Sequence, residues 1–197
     1  MPRGIPLTEE EQTNRRHEIF HAAVHLFLQQ GFHETSMREI AQAAGIGKST
    51  LYDYFPTKVD ILVFTVEDEI IEALEHAKEI ANKNITAENK LRQIMQMQME
   101  FFEGNKQLLV KLNFESQRLK AESQERLQEK RQAYQDLIRS IVEEGIRNGE
   151  FRKINPLVAA RTMLLLLTSV IYNSSPSGAS QVSLKDAMDI FFGGVLT

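Results

Sequence analysis

The chain has 197 residues, of which 42% are hydrophobic and 25% charged, as expected for a globular protein of one compact unit or two small ones. Its net charge of −4 argues against a strongly basic nucleic-acid-binding surface, and the absence of cysteines excludes disulfides and thiolate chemistry. No charged-then-apolar leader opens the chain, and its most apolar stretch, residues 157–172, is short for a membrane span and contains Arg161. We therefore expect a cytoplasmic protein with no membrane segment.

The first predicted elements are a flexible arm and a long helix. Residues 1–8 contain two prolines and a glycine, a composition typical of a mobile terminus. From about residue 9 to residue 30, apolar side chains recur at helical spacing, as at Ile19, Ala23 and Phe27. Gly31 then ends the predicted helix.

This first helix carries an H-E-x-x-H pattern at His17, Glu18 and His21. On a helix the two histidines lie one turn apart, which is the zinc-ligand spacing of metalloproteases, with the glutamate as general base. His25 extends the row by another turn. The three histidines lie opposite the apolar side, however, so they are predicted to face solvent with no obvious third ligand. We predict no metal site, no cofactor and no enzymatic activity, and a zinc hydrolase stays an alternative hypothesis.

Two short helices joined by a glycine turn are predicted next. Ser36 stands three residues before Glu39, which is the spacing of a capping box at a helix start. Gly45 ends that helix of about residues 36–44, because glycine adopts the left-handed conformation without a Cβ clash. A second helix spans about residues 48–55 and stops before Pro56. This pattern is typical of a helix-turn-helix, whose second helix enters the DNA major groove.

Residues 31–62 contain GF-x-x-TSMREIA followed by AAGIGKSTLYDYFPTKVDIL, and this run resembles the signature of the TetR family of transcriptional repressors. The resemblance implies a helix-turn-helix DNA-binding domain at residues 1–56, a connecting helix at 57–82, and a ligand-binding and dimerisation domain at 83–197. It also implies that DNA contacts come from the starts of the second, third and fourth helices: Thr35, Ser36, Arg38, Gly47, Lys48, Ser49, Thr50, Tyr52, Tyr54 and Lys58.

Two positions depart from the family pattern. Gly47 stands where serine or threonine usually caps the helix, and it gives up a side-chain contact. Asp53 stands where a histidine, a tyrosine or a small residue is commoner. A carboxylate near DNA is repelled unless it turns away or accepts a hydrogen bond from cytosine N4. Residues 1–58 contain six basic and seven acidic side chains, so we expect helix termini, hydroxyls and a few placed cations to hold the DNA.

The remainder of the chain also reads as helices, without strand-type alternation. After a fourth helix ending at about residue 82, we predict helices at about residues 87–103, 106–119 and 122–148, with Gly104 separating the first two. Two more begin at Pro156, behind the cap Asn155, and after Ser183. The expected fold is therefore all-α, with about nine helices.

The second half supplies candidate ligand-binding and dimer residues. Methionines and aromatic residues at helical spacing indicate either core filling or an adaptable apolar lining. If they line a pocket, the expected residues are Met95, Met99, Phe102, Phe114, Gln117, Tyr134 and Thr168. The family resemblance implies that the last two helices pair with those of a second subunit as a four-helix bundle. The expected interface residues are Leu164, Leu167, Ile171, Met188, Phe191 and Phe192.

Together these features predict a ligand-responsive repressor that binds a palindromic operator as a homodimer. A small hydrophobic or amphipathic effector releases it, because a ligand that prefers the subunit arrangement unfit for DNA must lower DNA affinity. The alternative is a helical adaptor that binds another protein through its apolar C-terminal helices and does not bind DNA.

Overall fold

The computed structural model describes residues 8–116, 121–172 and 184–196. Within these ranges the chain is all-α, as predicted, and no β-strand occurs there apart from one isolated antiparallel bridge between Phe151 and Leu196. No helix in the described part combines the length and apolar character needed to cross a bilayer. The described residues form eight helices: α1 Glu9–Gln30, α2 Met37–Ala43, α3 Lys48–Tyr54, α4 Lys58–Ala81, α5 Ala87–Ser116, α6 Ala121–Arg147, α7 Pro156–Tyr172 and α8 Leu184–Val195.

One predicted helix boundary is wrong. Helix α5 runs through Gly104 for 30 residues, so the two helices predicted on either side of this glycine are one. A glycine inside a helix costs only about 1 kcal/mol relative to alanine, and it does not end a long helix unless the chain beyond it also turns away.

Contacts between residues divide the chain into two compact units. The first comprises residues 1–66 and 111–119, and the second comprises residues 67–110 and 120–197. The division falls within α4, whereas the sequence placed a domain boundary at residue 56. The predicted domain limits therefore stay a prediction.

The first unit packs α1, α2, α3 and the start of α4 around an apolar core. Aromatic rings meet at its centre, where the Phe64 ring lies 5.5 Å from Phe55 and 6.4 Å from Phe20 between centroids. At the start of α1, the Thr8 hydroxyl accepts a hydrogen bond from the Glu11 N–H at 3.2 Å, completing a capping box. The buried apolar residues are Ile19, Phe20, Ala23, Phe27, Phe32, Ile40, Ala41, Leu51, Phe55, Ile61, Leu62 and Val63.

The second unit buries apolar residues of α5, α6, α7 and α8 in one cluster with the end of α4. Its helices approach closely at Gly145, where a Cβ atom would overlap the Phe151 ring and lie 3.0 Å from the Ala87 Cβ. At the same end, the buried Lys90 Nζ pairs with both carboxylate oxygens of Glu144 at 2.8 and 2.9 Å. This pair satisfies a charge that would otherwise be costly to bury.

Candidate functional site

Helices α2 and α3 are joined by a tightly specified turn. The Ile46 N–H donates to the Ala41 carbonyl at 2.9 Å and the Gly45 N–H donates to the Gln42 carbonyl at 3.2 Å. These two bonds make a Schellman motif, which requires a left-handed residue after the helix end. Gly45 has a φ of +66° and supplies it. The predicted glycine stop is therefore confirmed, and the turn directs the chain into α3.

The start of α2 is fixed by the predicted capping box. The Ser36 hydroxyl accepts from the Glu39 N–H at 3.2 Å, and the Glu39 carboxylate accepts from the Ser36 N–H at 2.7 Å. Hydrogen bonds from the Ser36 hydroxyl and the Ser36 backbone N–H lower the pKa of Glu39 from its usual 4.5. Ser36 is exposed, as is Arg38 in the first turn of α2.

Helix α3 presents a polar face to solvent. Leu51 and Phe55 are buried and hold the helix on the first unit. On its other sides the exposed residues are Lys48, Ser49, Thr50, Tyr52 and Asp53. Tyr54 is half-buried, and the Lys48 ammonium lies 5.7 Å from the centre of the Tyr52 ring. Gly47 caps the helix in an extended conformation, with no side-chain hydrogen bond. Most of the sequence-predicted DNA contacts thus lie together along one exposed helix and the start of α2.

Thr35, one of the predicted DNA contacts, is not on the exposed surface. Its side chain is buried, and its hydroxyl donates to the Gly31 carbonyl at 2.6 Å and accepts from Gln30 Nε2 at 3.3 Å. These contacts hold the loop between α1 and α2 and engage the hydroxyl within the protein. Of the predicted pair Thr35 or Ser36, Ser36 is exposed and Thr35 is buried.

Lys58 is also occupied within the protein. Its ammonium donates to the carbonyls of Phe32 at 2.5 Å and His33 at 3.1 Å, and it lies 4.7 Å from the centre of the Phe32 ring. A lysine that satisfies two backbone carbonyls clamps the loop onto the start of α4. The sequence predicts a DNA contact at Lys58. Its ammonium is engaged by these two carbonyls, and the DNA contact stays a prediction.

The histidine row of α1 faces solvent only in part. His21 and His25 are exposed, as predicted, but His17 is half-buried with its ring edge-on to Phe64 at 5.3 Å. The reason is that Phe64 belongs to α4, whose position the α1 sequence does not reveal. Among the described residues, no group of three or more histidine, aspartate or glutamate side chains could hold a metal ion.

Several predicted ligand-binding residues meet in the second unit. Met95, Met99 and Tyr134 are buried in its apolar cluster, and Phe102 is partly buried against it. The Thr168 hydroxyl donates to the Leu164 carbonyl at 2.8 Å within α7. The Phe114 side chain and Gln117 lie outside the described residues.

Gln98 was missed by the sequence reasoning. It shares a helix face with Met95, Met99 and Phe102, because residues three and four apart are neighbours on a helix, and this spacing could have identified it. The Tyr134 hydroxyl donates to Gln98 Oε1 at 2.9 Å, and both residues are buried, with 7% and 9% of their surface exposed. Burial raises the pKa of Tyr134, so the phenol stays protonated and remains the donor. This bond is a neutral polar contact within an apolar cluster.

The predicted dimer residues divide into two groups. Leu167, Phe191 and Phe192 are buried in the protein's own core, so their assignment to a surface is wrong. Leu164 and Met188 are partly buried against that core, and the Ile171 side chain lies outside the described part. The same two helices expose other apolar side chains: Val158 (58% exposed), Leu165 (69%) and Ile190 (65%). Apolar content alone did not reveal which side of each helix faces inward.

Both units of the chain match known protein families. Residues 19–63 match the family described as bacterial regulatory proteins, tetR family, and residues 84–188 match the tetracyclin repressor-like C-terminal domain. The chain is 26% identical over 147 residues to the fatty acid metabolism regulator protein of Bacillus subtilis, spanning 75% of this chain and 76% of that protein.

Solved structures resemble the fold over most of its length. The fatty acid degradation regulator FadR from Bacillus halodurans has a TM-score of 0.76 and 22% identity, covering 91% of this chain and 95% of that one. FadR from Bacillus subtilis, solved in complex with stearoyl-CoA, has a TM-score of 0.73 and 21% identity, covering 90% and 98%.

Proposed function

Because this chain belongs to the TetR family of transcriptional regulators, we propose that it binds a palindromic operator as a homodimer in the cytoplasm and leaves it when a fatty acyl-CoA binds. The observation that carries the DNA-binding half is the exposed polar face of α3, held by the Schellman turn at Gly45. The relatives named above are regulators rather than enzymes, and we propose no enzymatic activity.

The proposed DNA contacts are the exposed groups of α2 and α3. Ser36, Arg38, Tyr52 and Tyr54 would bind phosphates, which fix the register of the protein on the duplex. Lys48, Ser49 and Thr50 would approach base edges, with the backbone of Gly47 beside them. Thr35 and Lys58 hold the loop between α1 and α2, and in this proposal they support binding without touching DNA.

A binding assay with the DNA upstream of the protein's own gene tests this half of the proposal. Wild type should bind one segment in preference to random duplex, with affinity that falls steeply as salt rises. Lys48→Ala should weaken specific binding by about 1–3 kcal/mol if the lysine reads a base, or reduce the salt dependence if it contacts a phosphate. The control is Lys153→Ala, which removes an equal charge from an exposed position in the second unit. Absence of any sequence preference in a folded dimer would instead favour the adaptor hypothesis.

The proposed dimer surface consists of the exposed sides of α7 and α8. On α7 the exposed positions 158, 161, 162 and 165 recur at helical spacing, and on α8 positions 186, 189, 190 and 193 do the same. Each stripe carries exposed apolar side chains, Val158 and Leu165 on the first and Ile190 on the second. A second copy offers the same stripes, so a two-fold axis can bury all of them at once.

Sedimentation equilibrium tests this surface. Leu165→Asp and Ile190→Asp should each convert the dimer to a folded monomer with weakened operator binding, because one recognition helix reads only half a site. The control is Leu28→Asp, an exposed apolar residue of α1 in the first unit. A fully dimeric Leu165→Asp/Ile190→Asp double variant would contradict the proposed interface.

The effector class is proposed from the apolar cluster of the second unit and from the relatives. Met95, Met99 and Phe102 offer flexible apolar surface that suits an alkyl chain. The Bacillus subtilis relative is a fatty acid metabolism regulator by name, and a structure of similar fold binds stearoyl-CoA. Stearoyl-CoA is therefore the first compound to test.

Stearoyl-CoA should raise the melting temperature of the protein, because it binds the folded and not the unfolded chain. It should also release the protein from its operator, because it prefers the subunit arrangement that does not fit DNA. Coenzyme A alone and stearate alone are the controls for headgroup and chain. If no acyl-CoA of any chain length stabilises the protein or weakens operator binding, the effector proposal fails while the DNA-binding proposal stands.

A further inference from the structure

Asp53 occupies the centre of the outward face of α3. At 100° per residue it lies roughly opposite the midpoint of the buried Leu51 and Phe55, with Ser49 and Thr50 on either side. Its carboxylate is exposed. The side chain therefore does not turn back against the protein, and it is available to meet a base.

The carboxylate of Asp53 also has no cation to neutralise it within the part of the chain that the structure describes. No ion pair or hydrogen bond joins it to a described residue. The Lys48 ammonium lies over the Tyr52 ring at 5.7 Å from its centre. An unpaired negative charge at the centre of a DNA-facing helix weakens binding to every sequence unless the DNA itself supplies a donor.

Of the four bases, only one presents a major-groove edge that suits the Asp53 carboxylate as a hydrogen-bond acceptor. Guanine presents two acceptors there and thymine presents an acceptor and a methyl group, so both repel or fail to bind a carboxylate. Adenine offers its amino group, but the neighbouring N7 is an acceptor. Cytosine offers the N4 amino group, and its own major-groove edge carries no acceptor. Resting on the proposed DNA binding, we infer that Asp53 selects a cytosine at one position of each operator half-site and rejects the other bases by repulsion.

Selection from random duplexes by the full-length protein tests this inference. Wild type should enrich operators with cytosine at one symmetry-related position in each half-site, and replacing that base should weaken binding roughly 5- to 150-fold. Asp53→Ala should lose the preference at that position alone and bind non-specific DNA more tightly. Asp53→Asn should change the preferred base to adenine, because an amide pairs with adenine N6 and N7.

The control is Glu10→Gln, which removes one exposed negative charge from α1 and should leave the selected sequence unchanged. Circular dichroism melting establishes that each variant is folded, as expected for a substitution at an exposed position. If Asp53→Ala and Asp53→Asn enrich the same operator as wild type, the role of Asp53 is overturned and the proposed DNA binding stands. If wild type enriches no sequence at all, the proposed DNA binding fails, and the inference fails with it.

Discussion

Replacing Tyr134 by phenylalanine removes a single oxygen atom from the buried contact between α5 and α6. In the wild type, the Tyr134 hydroxyl donates to Gln98 Oε1 at 2.9 Å, and less than a tenth of either residue is exposed. The variant keeps the ring but leaves the amide oxygen of Gln98 buried without its donor. Such an unsatisfied group costs about 1–3 kcal/mol, more than the net value of the hydrogen bond itself. We expect Tyr134→Phe to lower the free energy of unfolding by that amount.

The matched substitution on the other helix completes a double-mutant cycle. Gln98→Leu leaves the Tyr134 hydroxyl without its acceptor and should cost about as much as Tyr134→Phe. The double variant removes both polar groups from an apolar cluster, and removal of both partners is nearly neutral. The two substitutions should therefore be strongly non-additive, with a coupling energy equal to the sum of the two single losses, about 2–6 kcal/mol.

Thermal and urea unfolding measure the stability of wild type, the two single variants and the double variant. All four are compared at one fixed protein concentration, because dimerisation makes stability depend on concentration. For a chain of this length, 1 kcal/mol corresponds to roughly 2–4 °C in melting temperature. Each single variant should melt several degrees below wild type, and the double variant should return close to it. If the double variant loses the sum of the two single losses, the reasoning from an unsatisfied buried group is refuted.

Three further predictions concern single side chains. Gly145→Ala should destabilise the protein by about 1–3 kcal/mol in urea unfolding, because the new methyl overlaps the Phe151 ring; an unchanged midpoint would contradict this. Gly45→Ala should cost about 1–2 kcal/mol in thermal unfolding, because its φ is +66° and its surroundings are open, so only backbone strain acts. Hydrogen bonds from Ser36 lower the pKa of Glu39, so the capping box contributes stability that is full above pH 4.5 and is lost as the pH falls through the lowered pKa. When the free energy of unfolding is measured as the pH is lowered, Glu39→Gln should lack the loss of stability that protonation of Glu39 causes in wild type. If the stability of the variant depends on pH as that of wild type does, the prediction is refuted.

The sequence alone determined the local structure of the helix-turn-helix. The capping box at Ser36 and the left-handed turn at Gly45 depend on atoms within a few residues of one another, so spacing and residue type suffice to predict them. The same locality explains why the exposed polar residues of α3 could be named in advance. Gly104 shows the limit, because whether a glycine ends a helix depends on where the following chain goes.

Only the tertiary structure decided which polar side chains are bonded within the protein and which apolar helix faces are buried in its core. Lys58 donates to carbonyls 26 and 25 residues earlier, and Tyr134 donates to Gln98 across 36 residues. On α7 and α8, apolar residues occur on more than one side, so composition could not distinguish the buried Phe191 from the exposed Leu165. Helix periodicity relates the residues of one helix to each other, but the direction of the core is set by the neighbouring helices, and these come together only when the whole chain packs.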